Sequence, residues 1–411
     1  QQEYFRITPD SARLYVKEVP NLKGARGGFA IGGLTNQGKA VTTRNMMFVA
    51  PDSARIWVKD PVVKGARGGF AIGGLTNQGK ASAGNFLDLT PQNYFIGQEA
   101  GKSITTGLYN SFIGYQSGQV TTTGSNNVFL GYQSGFSNVN GDRNTFLGNK
   151  AGFTNASGFS NVFVGDSAGY SNSSGYYNVI IGTKSGHFNN APFNTFLGYK
   201  SGYYTTSGMA NMFLGYLAGY SNTTGYRNVF MGYFAGRNNT TGYTNTLIGS
   251  AAGMSLSSGN SNIMIGANAG QSFYGGDDNI FIGNNSGATV KGSTSIANNN
   301  IFIGSSAGNK VTSGSNNLLV GTESGINNTS GSYNSFFGYQ SGYSNTTGSN
   351  NMFIGYQSGF TNTTGNINLF LGYRSGYNNT TGNDNLFIGK FTGFANTTGS
   401  RNTFFGSNSG D

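Results

Sequence analysis

A 17-residue unit that opens on Asn and repeats along residues 93–411 leaves this chain few folds to choose from. "NTFLGYKSGYYTTSGMA" from Asn194 and "NSFFGYQSGYSNTTGSN" from Asn334 are two copies. Nineteen copies begin at 93, 110, 127, 144, 161, 178, 194, 211, 228, 245, 262, 279, 300, 317, 334, 351, 368, 385 and 402. Only two steps depart from that period: 178 to 194 is shorter by one and 279 to 300 is longer by four. Self-similarity this tight specifies stacked turns in which each copy packs on its neighbours, a solenoid or fibre.

Positions are numbered here from the leading Asn. Position 1 is always Asn, and positions 5 and 9 are always Gly, from Gly97 and Gly101 to Gly406 and Gly410. Position 3 is Phe in fifteen copies, with Ile180, Leu247, Met264 and Leu319 in the others, and position 4 is always apolar. Position 8 is Ala or Ser except at Thr392. The front half reads as a short strand, and the Asn, Thr, Ser and Gly of the back half, as in "YSNTTGSN" from Tyr343, read as a turn. Both length exceptions fall after position 9, in "HFNNAPF" after Gly186 and "ATVKGSTSIANN" after Gly287, where insertions belong in loops.

Identical residues once per turn would stack about 4.8 Å apart. The Asn column then becomes a ladder of amides that bond the turns above and below, with Asn127, Asn144, Asn161, Asn334 and Asn351 as representative rungs. The Gly columns mark positive φ or close backbone approach. A turn that buries one Phe, one aliphatic and one Tyr on two short strands makes a thin ribbon with one face unburied. Chains are therefore expected to share a core around a common axis, with three as the favoured count.

The half unit "NVFLGYQSG" from Asn127 resembles the repeat of the head domains of trimeric autotransporter adhesins, and the longer unit with its "NTTG" turn resembles repeats of secreted, tail-fibre-like surface proteins of Bacteroidota. The resemblance covers about three quarters of the chain. It implies an all-β, left-handed parallel β-roll or β-solenoid, assembled as a homotrimeric fibre, secreted and displayed on the cell surface.

Residues 1–92 form an expected second region with two copies of another repeat. "TPDSARLYVKEVPNLKGARGGFAIGGLTNQGKA" from Thr8 returns as "APDSARIWVKDPVVKGARGGFAIGGLTNQGKA" from Ala50, and a third copy starts at "FLDLTPQNYFIG" and runs into the 17-residue repeat. "SARLYV" and "SARIWV" alternate as strands do. "GGFAIGG" at Gly27 and Gly68 is itself like the β-roll repeat, so the two regions are expected to share a register and an axis. The chain opens on Gln1, which reads as a processed N-terminus.

Composition excludes several classes of function. With no Cys there is no disulfide framework and no thiolate metal site. His187 is the sole His, so neither a Ser–His–Asp triad nor a His-based metal site can form. Net charge is +10, but charged residues are 9% of the chain, and "KGARGG" at Lys23 and Lys64 lacks any phosphate-loop spacing, so these read as solvated turn charges and no nucleic-acid partner is expected. Asp277 and Asp278 have no regularly spaced companions to make a calcium roll. Trp57 reads as packing, the "NTT" triplets at Asn222, Asn345 and Asn379 recur because the turn recurs, and "DSA" at Asp10, Asp52 and Asp166 resembles a Bacteroidota O-glycosylation acceptor.

No catalytic, cofactor or metal residues are expected, and no membrane insertion. The expected role is a non-enzymatic adhesive fibre that attaches by many weak contacts to a surface receptor or glycan. A tail fibre of a phage or injection system is the alternative, and an ice- or mineral-binding solenoid with stacked Thr at positions 13 and 14 is a third reading. Contact residues are expected among the variable positions 16 and 17 and in the irregular loops, where Arg227, Lys291 and Arg401 lie.

Overall fold

A computed structural model describes residues 87–288 and 297–410 together with four short strands near the N-terminus. Those four, β1 (Phe5–Thr8), β2 (Ser11–Leu14), β3 (Met47–Ala50) and β4 (Ser53–Ile56), form one antiparallel sheet in chain order. β1 pairs with β2 and β3 with β4, with Thr8 opposite Ser11 and Ala50 opposite Ser53. The alternation of "SARLYV" and "SARIWV" led us to expect strands here, and Ser11–Leu14 and Ser53–Ile56 are strands; two residues between paired ends can reverse a strand but cannot carry a parallel crossover. The Gly-rich "GGFAIGG" segments and Trp57 lie outside the described residues.

The third copy forms the same hairpin. β5 (Leu87–Leu89) runs antiparallel to β6 (Asn93–Ile96), with Leu89 opposite Tyr94. From β6 onward every pairing is parallel. β7 (Asn110–Ile113) pairs with β6, and the ladder continues one strand per repeat to β24 (Thr403–Phe405). Partners lie one repeat apart, as in Phe129 beside Phe146 and Phe146 beside Phe163. The register holds across both irregular turns, with Ile180 beside Phe196 and Phe281 beside Phe302. The chain is an all-β parallel solenoid of about eighteen turns, with no helix among the described residues.

Each turn has one strand of three or four residues, and the rest is turn. Pleating sends alternate side chains to opposite faces, so the Asn at position 1 and the Phe at position 3 point in while positions 2 and 4 point out. Phe112, Phe129, Phe146 and Phe163 are fully buried. Their rings stack nearly parallel, with centroids 4.6 Å apart for Phe112–Phe129 and 4.7 Å for Phe146–Phe163. Ala151 and Ala168 at position 8 close the opposite wall. Where that residue is Ser, its hydroxyl mostly donates to the carbonyl of the Phe one turn on, as Ser134 does to Phe146 at 3.1 Å, although Ser185 in the contracted turn donates to the Ser201 carbonyl at 3.2 Å.

Two expectations fail here. One chain closes its own core, and neither the position 4 aliphatic nor the Tyr at position 6 belongs to it. Leu130 and Leu147 are each 41% exposed and Tyr132 is 49% exposed. Strand parity decides the matter, since a residue next to a buried Phe must face the other way.

Gly is needed where turns approach most closely. Gly131 has φ 140°, and a Cβ there would collide with the carbonyl of Gly148 in the next turn. Gly135 has φ 58°, and a Cβ would enter the Phe129 ring. Positions 7 and 17 also have positive φ without being Gly, for example Gln133 at 51° and Ile367 at 58°. A β-branched residue held there is strained locally, and the surrounding ladder fixes it.

Candidate functional site

The position 1 amides form a continuous internal ladder. Asn127 donates from Nδ2 to Oδ1 of Asn110 at 3.1 Å and to the Gly141 carbonyl at 2.8 Å. Its own Oδ1 accepts the backbone N–H of Asn144 at 2.9 Å. Asn161 repeats this on Asn144, and Asn334 and Asn351 repeat it on Asn317 and Asn334, all of them buried. The contracted turn breaks the pattern once. Asn178 Nδ2 is buried without a partner, since the carbonyl of Ala191 already accepts from Asn189 at 3.0 Å and from Asn194.

A second amide ladder runs at position 12 and was missed from the sequence. Asn155 donates to Asn138 at 2.8 Å, and Asn172 to Asn155 at 2.8 Å; it resumes where Asn345 donates to Asn328 and Asn362 to Asn345. The same 17-residue spacing could have revealed it, but Thr121, Thr205, Leu256, Phe273 and Val311 interrupt the column.

Outward columns carry whatever meets a partner. Positions 2 and 4 make an apolar stripe along the strand face, with Val128 at 48% and Met212 at 45% exposure. Position 6 adds stacked Tyr rows, Tyr115–Tyr132, Tyr199–Tyr216–Tyr233 and Tyr339–Tyr356–Tyr373. Position 10 carries a further stack, running Phe136, Phe153, Tyr170, His187, Tyr203 and Tyr220. Cations at position 7 lie between these rows. The Arg374 guanidinium is 5.5 Å from the Tyr373 ring and 5.2 Å from Tyr377, within cation–π range.

Arg227 and Arg401 occupy position 17, exposed, with φ 54° and 62°. Arg227 also lies 5.8 Å over Tyr226. They share one column but lie ten turns apart, roughly 50 Å at about 4.8 Å per turn, so they form no common site. Lys291 lies outside the described residues. His187 sits between Tyr170 and Tyr203 with a buried, unpartnered Nδ1, and its pKa is pushed below the ordinary value chiefly by burial. Glu99 is held below its ordinary pKa by a hydrogen bond from Gln116 and by Lys102 at 2.9 Å. Asp277 accepts the backbone N–H of Asn260 at 2.8 Å, which ties it into the stack.

Among the described residues no three His, Cys, Asp or Glu side chains converge as metal ligands, and no helix is long and apolar enough to cross a membrane. Fold and surface together define a parallel β-solenoid repeat protein with aromatic and apolar outward columns. No family model matches the chain, and neither curated proteins nor solved structures give a match.

Proposed function

We propose that the chain is a secreted, non-enzymatic fibre that assembles as a homotrimer on a cell surface and attaches to a receptor or glycan through many weak contacts. The observation that carries this reading is the apolar stripe at positions 2 and 4, which position 4 keeps unbroken from Ile113 and Leu130 through Leu197 to Ile303 and Leu371. Exposed apolar ground of that extent marks an interaction surface. A second and third copy of the same chain, carrying the same stripe at the same pitch, would cover it along its length. The core closes within one chain, so the assembly is argued from this stripe and not from a shared core.

Repetition then multiplies any outward contact along the chain and across the chains, and a weak single site becomes firm attachment. The ice or mineral reading is disfavoured by the position 13 hydroxyls. Thr122, Thr223 and Thr346 donate to carbonyls one turn on, at 3.1, 3.0 and 3.0 Å, so their single O–H groups are used within the stack and do not form an outward donor array.

Sedimentation at micromolar concentration is expected to give about three times the 43.1 kDa chain mass. Leu130→Lys with Leu147→Lys and Leu197→Lys should shift it to folded monomer. A native chain that sediments as folded monomer removes the trimer. Beads coated with the fibre should be retained on mucin under flow more steeply than in proportion to coating density; retention no greater than for albumin-coated beads removes the attachment role.

A further inference from the structure

The contracted turn carries a feature that the repeat does not need. Position 11 is Ser, Thr, Asn or another non-aromatic residue throughout the described turns, except at Phe188 and Tyr204 in two consecutive turns. Phe188 stands at 89° to His187 and 82° to Tyr203, and Tyr204 stands at 90° to Tyr203 and 78° to Tyr220. Both faces of Tyr203 are covered, by His187 at 5.1 Å and Tyr220 at 5.5 Å, so only its edge can meet Phe188 and Tyr204. The inner faces of Phe188 and Tyr204 therefore rest on the edge of the position 10 stack, and their outer faces are open. Their planes agree within 8°, with centroids 5.7 Å apart. Because the repeat displaces them along the solenoid axis, and their planes contain that axis, the two rings lie side by side as a flat tile.

A second tile accompanies the first at the same contraction. Tyr177 and Phe193, at position 17 of consecutive turns, agree within 19° at 5.8 Å and stand at 78° and 80° to Tyr176. Exposure is 38% and 42% for Phe188 and Tyr204, and 54% and 49% for Tyr177 and Phe193. Neither tile lies in the apolar stripe, so covering that stripe leaves both open.

We infer that these tiles bind a linear, β-linked polysaccharide, which names the glycan class within the attachment role proposed above and rests on that reading. Consecutive pyranose rings of an extended chain present flat C–H faces at a repeat close to the separation of the two aromatic rings, and each ring is a broad apolar surface with low conformational cost. The surroundings suit sugar hydroxyls. The exposed Asn190 amide, whose Oδ1 accepts from Ser173 and Ser174 and whose Nδ2 remains to donate, and the exposed Ser207 hydroxyl supply neutral polar groups beside the Phe188–Tyr204 tile. Nucleic acid would need a row of cations tracking its phosphates, and only Lys184 and Lys200 lie in these two turns.

The test is calorimetric titration of the full native chain with cellohexaose, chitohexaose and laminarihexaose, and separately with a thymidine oligonucleotide. At least one hexasaccharide should bind. Phe188→Ser with Tyr204→Ser installs the residue that Ser171 and Ser221 carry in the adjoining turns, so the fold is retained, and it should weaken that binding at least tenfold with melting and sedimentation unchanged. Tyr177→Ser with Phe193→Ala, after Ser160 and Ala210, should weaken it further. No binding of any hexasaccharide, unchanged affinity in both variants, or binding of the oligonucleotide alone overturns the inference. Mucin retention that survives in variants without hexasaccharide affinity sinks the tiles and leaves the attachment role standing; loss of retention by the native chain sinks the role itself.

Discussion

An amide that serves three partners at once is the residue on which this architecture turns. In each regular turn one buried Asn side chain accepts a backbone N–H, accepts or donates along the ladder, and donates to a Gly carbonyl fourteen residues on, as Asn127 does to Gly141. Asn144→Ala removes all three, leaving the Asn161 N–H without its acceptor and the Gly158 carbonyl with Asn155 as its remaining amide donor. A loss of about 1 to 3 kcal/mol in chemical unfolding is expected, and a loss within measurement error would show that water replaces the amide. His187 gives a residue-scale pH dependence. Its pKa is lowered in the fold, so the unfolded chain binds the proton more readily. Stability is full above the ordinary His pKa of about 6.5 and falls as pH drops through the folded value. The melting temperature should decline below that point in the native chain, and His187→Phe, which keeps the ring stack, should remove that part of the decline.

At the scale of the turn, the Phe column sets the spacing and tolerates other shapes. Leu247 and Met264 fill it with full burial, so the stack does not depend on ring-on-ring geometry. Phe146→Leu should therefore cost less than about 1.5 kcal/mol, whereas Phe146→Ala opens a cavity and should cost about 3 to 5 kcal/mol; equal losses from the two would mean that the rings, not the filled volume, hold the turn. The period was legible because Asn at position 1 and Gly at positions 5 and 9 recur without exception, and the strand because positions 3 and 4 are apolar in every copy. Facing was not, since "VFL" at Val128 to Leu130 is apolar on both sides and hydrophobicity alone cannot say which parity is buried. The invariant Asn at position 1 held the answer, because it shares parity with Phe and both point inward. The loop that holds Phe188 was marked in the sequence by its changed length, but the tile was not, because the coplanar pairing of Phe188 with Tyr204 exists only once consecutive turns are stacked.

Over the whole molecule the ladder is a rod, roughly 90 Å long for nineteen strands at about 4.8 Å each. Small-angle scattering should give the cross-section and length distribution of a rod, and a compact, near-spherical particle would contradict the parallel stacking. A column of nearly interchangeable turns has a weakness that its chemistry cannot cure, because two such columns laid side by side fit almost equally well when one slides by a single step. In the proposed trimer the shortened turn after Gly186 and the lengthened one after Gly287 would remove that ambiguity. They would act as notches on an otherwise featureless ruler: chains meeting out of phase would oppose a contracted turn to a regular one, and only the in-phase alignment would bring like to like at every level. Restoring both turns to the regular length would leave each chain as well folded as before and make its assemblies staggered in length.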